Sequence, residues 1–179
     1  MSAEQAPFFV HAERTLRLDA IYRVYPSSTE TCFIRINGPG GRGRAIAGGT
    51  QALNPLQALI AAPFLSRAAV QLDVAARELD SQDRHDLVAQ YEGSFIVSES
   101  DVLSSTLDDE RAFGGNGPQY GVWNVVQRNG KKLKLKFGSI EDSLVALAGL
   151  PAVLGTRITV NIVWDPATGS LKKARRGAV

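Results

Sequence analysis

The chain has 179 residues, 44% of them hydrophobic and 21% charged, and a formal net charge of +2 at neutral pH. A length typical of one domain, with 17 glycines, 8 prolines and one cysteine, excludes collagen-like, disulfide-stapled and wholly disordered proteins. The longest apolar stretch, Leu56 to Leu65, is interrupted by Gln57 and Pro63 and is shorter than the roughly 20 residues of a membrane span.

The first part of the chain predicts a β-hairpin after a flexible N-terminus of residues 1–14. Apolar and polar residues alternate from Thr15 to Tyr25, which predicts a strand. A second strand is predicted from Thr31 to Asn37, pairing with the first across residues 26–30.

Helices are predicted next, after a glycine-dense loop at residues 38–49. Asn54 followed by Pro55 is typical of a helix start, and Pro63 should kink or divide that helix. Helical spacing of Ala and Leu continues from Phe64 to Leu79, Ser81 is expected to cap a further helix that ends near Gly93, and Ser94 to Val97 forms a short strand.

The last part of the chain predicts a second hairpin and a helix. Residues 98–119 are polar and glycine-rich, which favours a mobile loop. Asn129-Gly130 is the signature of a two-residue hairpin turn. The predicted elements are strands Tyr120 to Gln127 and Lys131 to Phe137, a helix from Ser139 to Gly155, a strand from Arg157 to Trp164, a turn at residues 165–169 and a basic strand from Leu171 to Arg176.

This element order predicts an α+β fold in which antiparallel β-hairpins pack on helices. We expect one domain over residues 15–179, with halves at 15–97 and 120–179 joined by the loop at 98–119. A hairpin followed by a helix occurs twice, at 15–65 and 120–154, which suggests a duplicated unit. Independent use of a common α+β unit explains the same pattern equally well.

Charge is divided unevenly along the chain. Residues 1–119 carry 10 basic and 15 acidic side chains, a net of −5, whereas residues 120–179 carry 10 basic and 3 acidic side chains, a net of +7. This asymmetry favours either a polyanionic partner for the C-terminal part or head-to-tail contacts between copies. A solvated acidic helix and a basic tail without a partner would give the same pattern.

The second predicted hairpin offers the clearest candidate interface. With a two-residue loop, Arg128 pairs with Lys131, and one face of the hairpin is apolar. The opposite face combines an aromatic ring that can stack on an unpaired base with ammonium groups that can contact phosphate. Its residues are Trp123, Lys132, Lys134 and Lys136.

Other basic residues add to this prediction. The outer face of the first hairpin is expected to carry basic and aromatic residues, and the glycine-dense loop and the C-terminal strand add further positive charge. The alternatives are lysines that only prevent strand aggregation and a loop that has no binding function. The additional candidates are Arg17, Arg23, Tyr25, Phe33 and Arg35 in the first hairpin, Arg42 and Arg44 in the loop, and Lys172, Lys173, Arg175 and Arg176 near the C-terminus.

Residues typical of catalysis and metal binding are sparse. His11 and His85 have no second histidine or cysteine at ligand spacing, so no metal site is predicted. Cys32 lies on the apolar side of a predicted strand, which is typical of an inert buried thiol. The acidic run at residues 108–110 could bind a divalent cation, but adjacent carboxylates alone do not specify the converging geometry that Mg²⁺ needs, and solubilising residues explain the run as well. We therefore expect a protein that is not an enzyme and uses no cofactor.

The sequence thus predicts a non-catalytic protein that binds single-stranded DNA or RNA on basic and aromatic hairpin faces. Single strands are favoured over duplexes because the helix at residues 140–154 carries no Lys or Arg to enter a major groove. The alternative is a structural protein whose acidic helices at residues 73–92 contact the basic strands of a second copy, forming a homo-oligomer. A single cysteine and no signal-peptide pattern predict a cytoplasmic protein that does not bind membranes.

Overall fold

The structure is a computed structural model that describes residues 5–14, 17–36, 76–109 and 120–174. The strands are β1 (Phe8–Arg14), β2 (Arg17–Pro26), β3 (Glu30–Arg35), β4 (Phe95–Ser98), β5 (Val102–Asp108), β6 (Val122–Gln127), β7 (Lys132–Phe137), β8 (Ile158–Val160), β9 (Ile162–Asp165) and β10 (Ser170–Lys173). The helices are α1 (Arg84–Gln90) and α2 (Ile140–Leu154), residues 76–80 are also helical, and 3-10 turns lie at Glu99–Asp101 and Gly155–Arg157.

Eight of the strands form one sheet in the order β4-β3-β2-β1-β7-β6-β5-β8, and β9 and β10 form a separate two-stranded sheet. Every pairing is antiparallel except that of β5 with β8. The predicted α+β class with antiparallel hairpins is therefore confirmed. Both predicted hairpins, β2–β3 and β6–β7, are also present.

The N-terminal strand β1 corrects the prediction of a flexible segment at residues 1–14. β1 lies inside the sheet and pairs with β2 on one side and β7 on the other, so it joins the two predicted halves. The prediction failed because the run Phe-Phe-Val at residues 8–10 was not weighed as a strand buried on one face.

The loop predicted over residues 98–119 is also wrong in its first half. Residues 99–101 form a 3-10 turn, and β5 occupies Val102–Asp108 between β6 and β8. Its consecutive residues Ser104, Ser105 and Thr106 predicted a polar loop, but they lie on a strand in which Val102, Ser105 and Leu107 are buried. Residues 110–119 lie outside the described residues, as do the predicted helical residues 54–75, so the duplicated unit stays a prediction.

The sheet is strongly curled. Phe33 on β3 and Trp123 on β6 stack with ring centroids 5.9 Å apart, although β2, β1 and β7 lie between their strands. At about 4.8 Å per strand, a flat sheet would separate them by roughly 19 Å. The two ends of the sheet also meet, because Arg157, just before β8, pairs with Glu99, just after β4. The curled sheet therefore encloses a core.

Two apolar clusters lie on the two faces of this sheet. The concave face holds the larger cluster, which includes Trp123 and Phe33 and is closed by Ala146 and Leu150 of α2. The convex face of β2 and β3 holds the smaller cluster, which is covered by the helical residues 76–80 and by α1. The helices thus lie on opposite faces, and the β6–β7 end of the convex face has no described helix on it.

Capping residues fix where the two helices begin. The Ser139 hydroxyl accepts the backbone N–H of Asp142 at 3.1 Å, and Gly155 ends α2 at φ +54°, both as predicted. The N-cap of α1 is Asp83, whose carboxylate accepts the N–H groups of the next turn, whereas the predicted cap Ser81 donates to the carbonyl of Glu78.

Asp142 should make stability depend on pH. Its carboxylate accepts the N–H of Phe9 at 2.7 Å and the hydroxyl of Ser139 at 2.8 Å, while burial raises its pKa above the ordinary value. The folded state therefore keeps this proton to a higher pH than the unfolded state does. The free energy of unfolding should fall as the pH rises from the ordinary pKa of an aspartate towards the raised pKa of Asp142. We expect the urea midpoint of Asp142→Asn to depend less on pH than that of the wild type, measured between about pH 4 and 7.

Glu141→Gln is the matched control, because Glu141 is exposed in the same helical turn. It should leave the pH dependence unchanged. If the urea midpoint of Asp142→Asn varied with pH as strongly as that of the wild type, this explanation would be contradicted.

Candidate nucleic-acid interface

The loop of the β6–β7 hairpin has three residues instead of the predicted two. Gln127 donates its N–H to the carbonyl of Lys131 at 2.8 Å, so residues 128–130 form the loop, and Gly130 takes a positive φ of +83°. A third loop residue with Gly in the left-handed region is a common hairpin form. Because side chains alternate between faces, this shift of one residue moves Trp123 to the opposite face from the one predicted.

Trp123 is consequently a core residue. It pairs with Leu135, is 2% exposed and donates its indole N–H to the hydroxyl of Ser105 at 2.7 Å. Phe8 contacts the ring edge-on at 6.1 Å and Phe33 stacks on it at 5.9 Å. The prediction that Trp123 lies beside the lysines on an exposed face is wrong, and its ring has no face left for a base.

The lysines of β7 lie on the convex face, away from Trp123, and the ring opposite Lys136 in the register is that of His11 on β1. Lys132, Lys134 and Lys136 pair with Val126, Asn124 and Val122. The first two lysines are exposed and Lys136 is partly exposed. Lys134 and Lys136 already have interaction partners. The row therefore supplies positive charge but not the ring that the prediction placed beside it.

The first hairpin does not present the predicted basic and aromatic face. Phe33 pairs with Val24 on the concave side and is 1% exposed, whereas Arg23 points to the convex side. Arg35 shares the side of Phe33, and its Nε is buried with no hydrogen-bond partner among the described residues. The candidates Arg23, Phe33 and Arg35 are therefore not brought together.

Arg23 and Tyr25 belong to a polar network instead. The Arg23 guanidinium binds both carboxylate oxygens of Asp80, at 3.3 and 2.9 Å, and the Tyr25 hydroxyl donates to the same carboxylate at 2.8 Å. Arg84 lies over the Tyr25 ring at 4.1 Å. Burial, with the hydrogen bond to Asp80, raises the pKa of Tyr25. This network attaches the helical residues 76–80 to β2.

The exposed aromatic residue is Trp164, which the sequence did not single out. It lies at the end of β9, is 36% exposed and pairs with Leu171 of β10. Among the described Phe, Tyr and Trp residues, it is the one whose side chain is exposed. The predicted single strand from Arg157 to Trp164 is interrupted at Asn161, where the chain leaves the main sheet and forms the β9–β10 hairpin.

An open groove of about 410 Å³ runs along this hairpin. Lys173 is exposed and lies on the same face as Trp164, diagonal to it across the two strands, a relation that places Cα atoms about 7–8 Å apart. Its lining residues are Val163, Trp164, Asp165, Pro166, Lys172, Lys173 and Ala174. The groove therefore combines an exposed indole, an exposed Val163 and two lysines.

One lysine of the groove is already paired. The Lys172 ammonium contacts the carboxylate of Asp165. Its hydrogen bond, together with those from the Ala167 N–H and the Thr168 hydroxyl, lowers the pKa of Asp165. At neutral pH the groove thus presents one neutralised lysine and one lysine, Lys173, for which no ion pair with a described residue exists.

Four predicted binding residues, Arg42, Arg44, Arg175 and Arg176, lie outside the described residues. Among the residues that are described, no group of three or more His, Cys, Asp or Glu side chains converges as a metal site would require. Cys32 is 3% exposed, and burial with the nearby Glu30 carboxylate raises its thiol pKa to about 12. The thiol is therefore protonated at neutral pH and unsuited to nucleophilic chemistry.

His85 links α1 to the sheet. It is 64% exposed on α1, where its Nε2 lies 2.8 Å from a carboxylate oxygen of Glu30 on β3. Asp83, which the sequence places beside it, is used as the helix cap. This contact attaches α1 to the sheet.

Searches of family models, curated proteins and solved structures return no match to the chain. In the part of the chain that the structure describes, no helix has both the length and the apolar character needed to cross a membrane. The candidate interface therefore depends on the geometry of the β9–β10 hairpin.

Proposed function

We propose that this protein binds single-stranded nucleic acid at the β9–β10 hairpin. In this proposal a base stacks on the Trp164 ring, and Lys173 contacts a phosphate. The ligand is the single strand that the sequence predicts, but the stacking residue is Trp164 and not Trp123.

The exposure of Trp164 is the observation that supports the proposal most. An indole that is 36% exposed beside a lysine and an open groove loses apolar contact with water when a base covers it. Base-to-aromatic stacking contributes about 1–3 kcal/mol per base, and each lysine adds an interaction that weakens with salt. These are the two components that recognition of a single strand combines.

Unpaired bases fit this hairpin better than a duplex does. The ring faces of paired bases are covered by their neighbours, so stacking on Trp164 needs a base that has left the stack. The longest described helix, α2, also lacks a basic recognition surface, because it carries Glu141 and Asp142 and no Lys or Arg. The hairpin therefore favours single-stranded DNA or RNA, and no described group distinguishes the two.

Replacing Trp164 by alanine should weaken the binding of a fluorescein-labelled single strand by about 5- to 150-fold, the equivalent of one stacked base. Fluorescence anisotropy at about 50 and 200 mM salt measures this change and the salt dependence together. Trp164→Phe keeps a flat ring and should retain most of the affinity.

Leu103→Ala is a matched control, because Leu103 is another exposed apolar residue, 55% exposed, on β5. It should bind like the wild type. Equal affinity of Trp164→Ala and the wild type would refute the stacking proposal. If no strand binds even at low salt, the assembly hypothesis takes its place, and Asp83→Lys combined with Asp86→Lys should then lower the particle mass measured by light scattering.

A further inference from the structure

A second aromatic ring reaches the surface beside the loop of the β6–β7 hairpin. Phe95, the first residue of β4, is partly exposed, and the Lys131 ammonium lies 5.0 Å from its ring centroid. Lys131 itself is exposed and follows directly after the loop at residues 128–130. The ring is thus covered on its outer side by the end of one flexible side chain.

Packing holds the Phe95 ring in a fixed position. Phe33 stacks on one face, with centroids 4.6 Å apart and planes at 11°, and Tyr22 contacts the ring edge-on at 5.4 Å. Phe33 in turn stacks on Trp123 in the core. Because Phe33 occupies one face, the ammonium of Lys131 covers the other. A ring held in this way needs no reorganisation to receive a flat ligand.

The cover over this ring can move without moving the backbone. The main chain of Lys131 is fixed, since its carbonyl accepts from Gln127 at 2.8 Å and its N–H donates to the side chain of Asn129 at 2.9 Å. The side chain is a flexible stem with a compact charge. An ammonium over an exposed ring is a weaker contact than a base stacked on the same ring. Exchange of one for the other is therefore favourable.

A second cation lies near the same point. Arg128, in the loop that precedes Lys131, is exposed and donates its Nε–H to the carbonyl of Ser100, whereas Lys132 lies on the convex face. In the adjoining 3-10 turn the carboxylate of Glu99 is paired with Arg157, and that of Asp101 is exposed. A phosphate beside the Phe95 ring would thus be attracted by Lys131 and Arg128.

We infer that Phe95 is a second base-stacking site, in which a base of a bound single strand displaces the Lys131 ammonium from the ring and Lys131 contacts the adjacent phosphate. This inference rests on the proposed function, because the ligand is the same strand that stacks on Trp164. Phe95 lies beside Lys131 at the loop of the β6–β7 hairpin, whereas Trp164 lies on the separate β9–β10 sheet. The strand that binds most tightly is therefore one long enough to reach both.

Photo-crosslinking of the unmodified protein to a single strand that carries 5-iodouracil at every position tests this inference directly. We expect crosslinked peptides that contain Phe95 as well as peptides that contain Trp164, identified by mass spectrometry. Crosslinks confined to Trp164 would overturn the second site and leave the proposed function in place. Absence of crosslinks together with absence of salt-sensitive binding would overturn both.

Phe95→Leu provides a second measurement, since leucine keeps an apolar side chain but not a flat ring. It should lower the affinity for a long single strand about fivefold or more, with little effect on a strand too short to reach both rings. Phe9→Leu is the matched control, because Phe9 also lies beneath a cation, Arg23 at 4.4 Å, but away from this loop. Equal affinities of the two variants would overturn the inference.

Discussion

Replacing Trp123 by alanine should lower the free energy of unfolding by about 3–5 kcal/mol, the usual cost of deleting a large buried aromatic side chain. The ring is 2% exposed and contacts both Phe8 and Phe33 in the core. Its removal leaves a cavity and also leaves the buried hydroxyl of Ser105 without its donor. Urea denaturation followed by circular dichroism measures the loss.

The control for this prediction is the other tryptophan. Trp164→Ala should change the free energy of unfolding by less than about 1 kcal/mol, because surface substitutions rarely cost more. Under the proposed function, the two variants should separate stability from binding, with Trp123→Ala affecting the first and Trp164→Ala the second. A Trp123→Ala protein as stable as the wild type would contradict the observed burial and the register of the hairpin.

The two tryptophans show which parts of the structure the sequence could predict and which it could not. Alternation located the β6–β7 hairpin, and the turn residues Asn129 and Gly130 located its loop. The predicted loop length was wrong, because Asn129 and Gly130 are compatible with both a two-residue and a three-residue hairpin loop. A shift of one residue in the register exchanges the two faces of a strand. The strands were therefore predicted correctly, but Trp123 was assigned to the wrong face.

The Trp164 site was missed for a different reason. The run Arg157 to Trp164 alternates like one strand, and nothing local marks Asn161 as the point where the chain leaves the main sheet. Trp164 is exposed because none of the described elements covers its side of the two-stranded hairpin, which is a tertiary property. The sequence did contain one signal, since the turn at residues 165–169 directly after Trp164 places this residue at a hairpin tip.

The first hairpin shows the same limit for charged residues. Its strands were predicted, but the partners of Arg23 were not, because Asp80 lies 57 residues away in the sequence. Basic residues on a strand were read as a binding face, whereas one of them is an internal structural contact. Composition cannot separate these two uses, since both need the same side chain.

Replacing Asp80 by alanine should cost about 2–4 kcal/mol of folding stability, because it removes one partner of a largely buried ion pair. The Arg23 side chain is 12% exposed and would keep its charge with no carboxylate to accept its two hydrogen bonds. The Tyr25 hydroxyl would lose its acceptor as well. Asp86→Ala, at an exposed position of α1, is the control and should cost far less.

The pH dependence of this variant distinguishes the network from simple loss of packing. Burial, with the hydrogen bond to Asp80, raises the pKa of Tyr25, so the folded protein keeps that proton longer than the unfolded chain does. Stability of the wild type should therefore fall as the pH rises through about 10, the ordinary value for tyrosine. In Asp80→Ala part of this raise is removed, and the alkaline loss measured by urea midpoints should be smaller. An unchanged alkaline slope would show that Asp80 does not govern Tyr25, and the cost of the substitution would then belong to Arg23 alone.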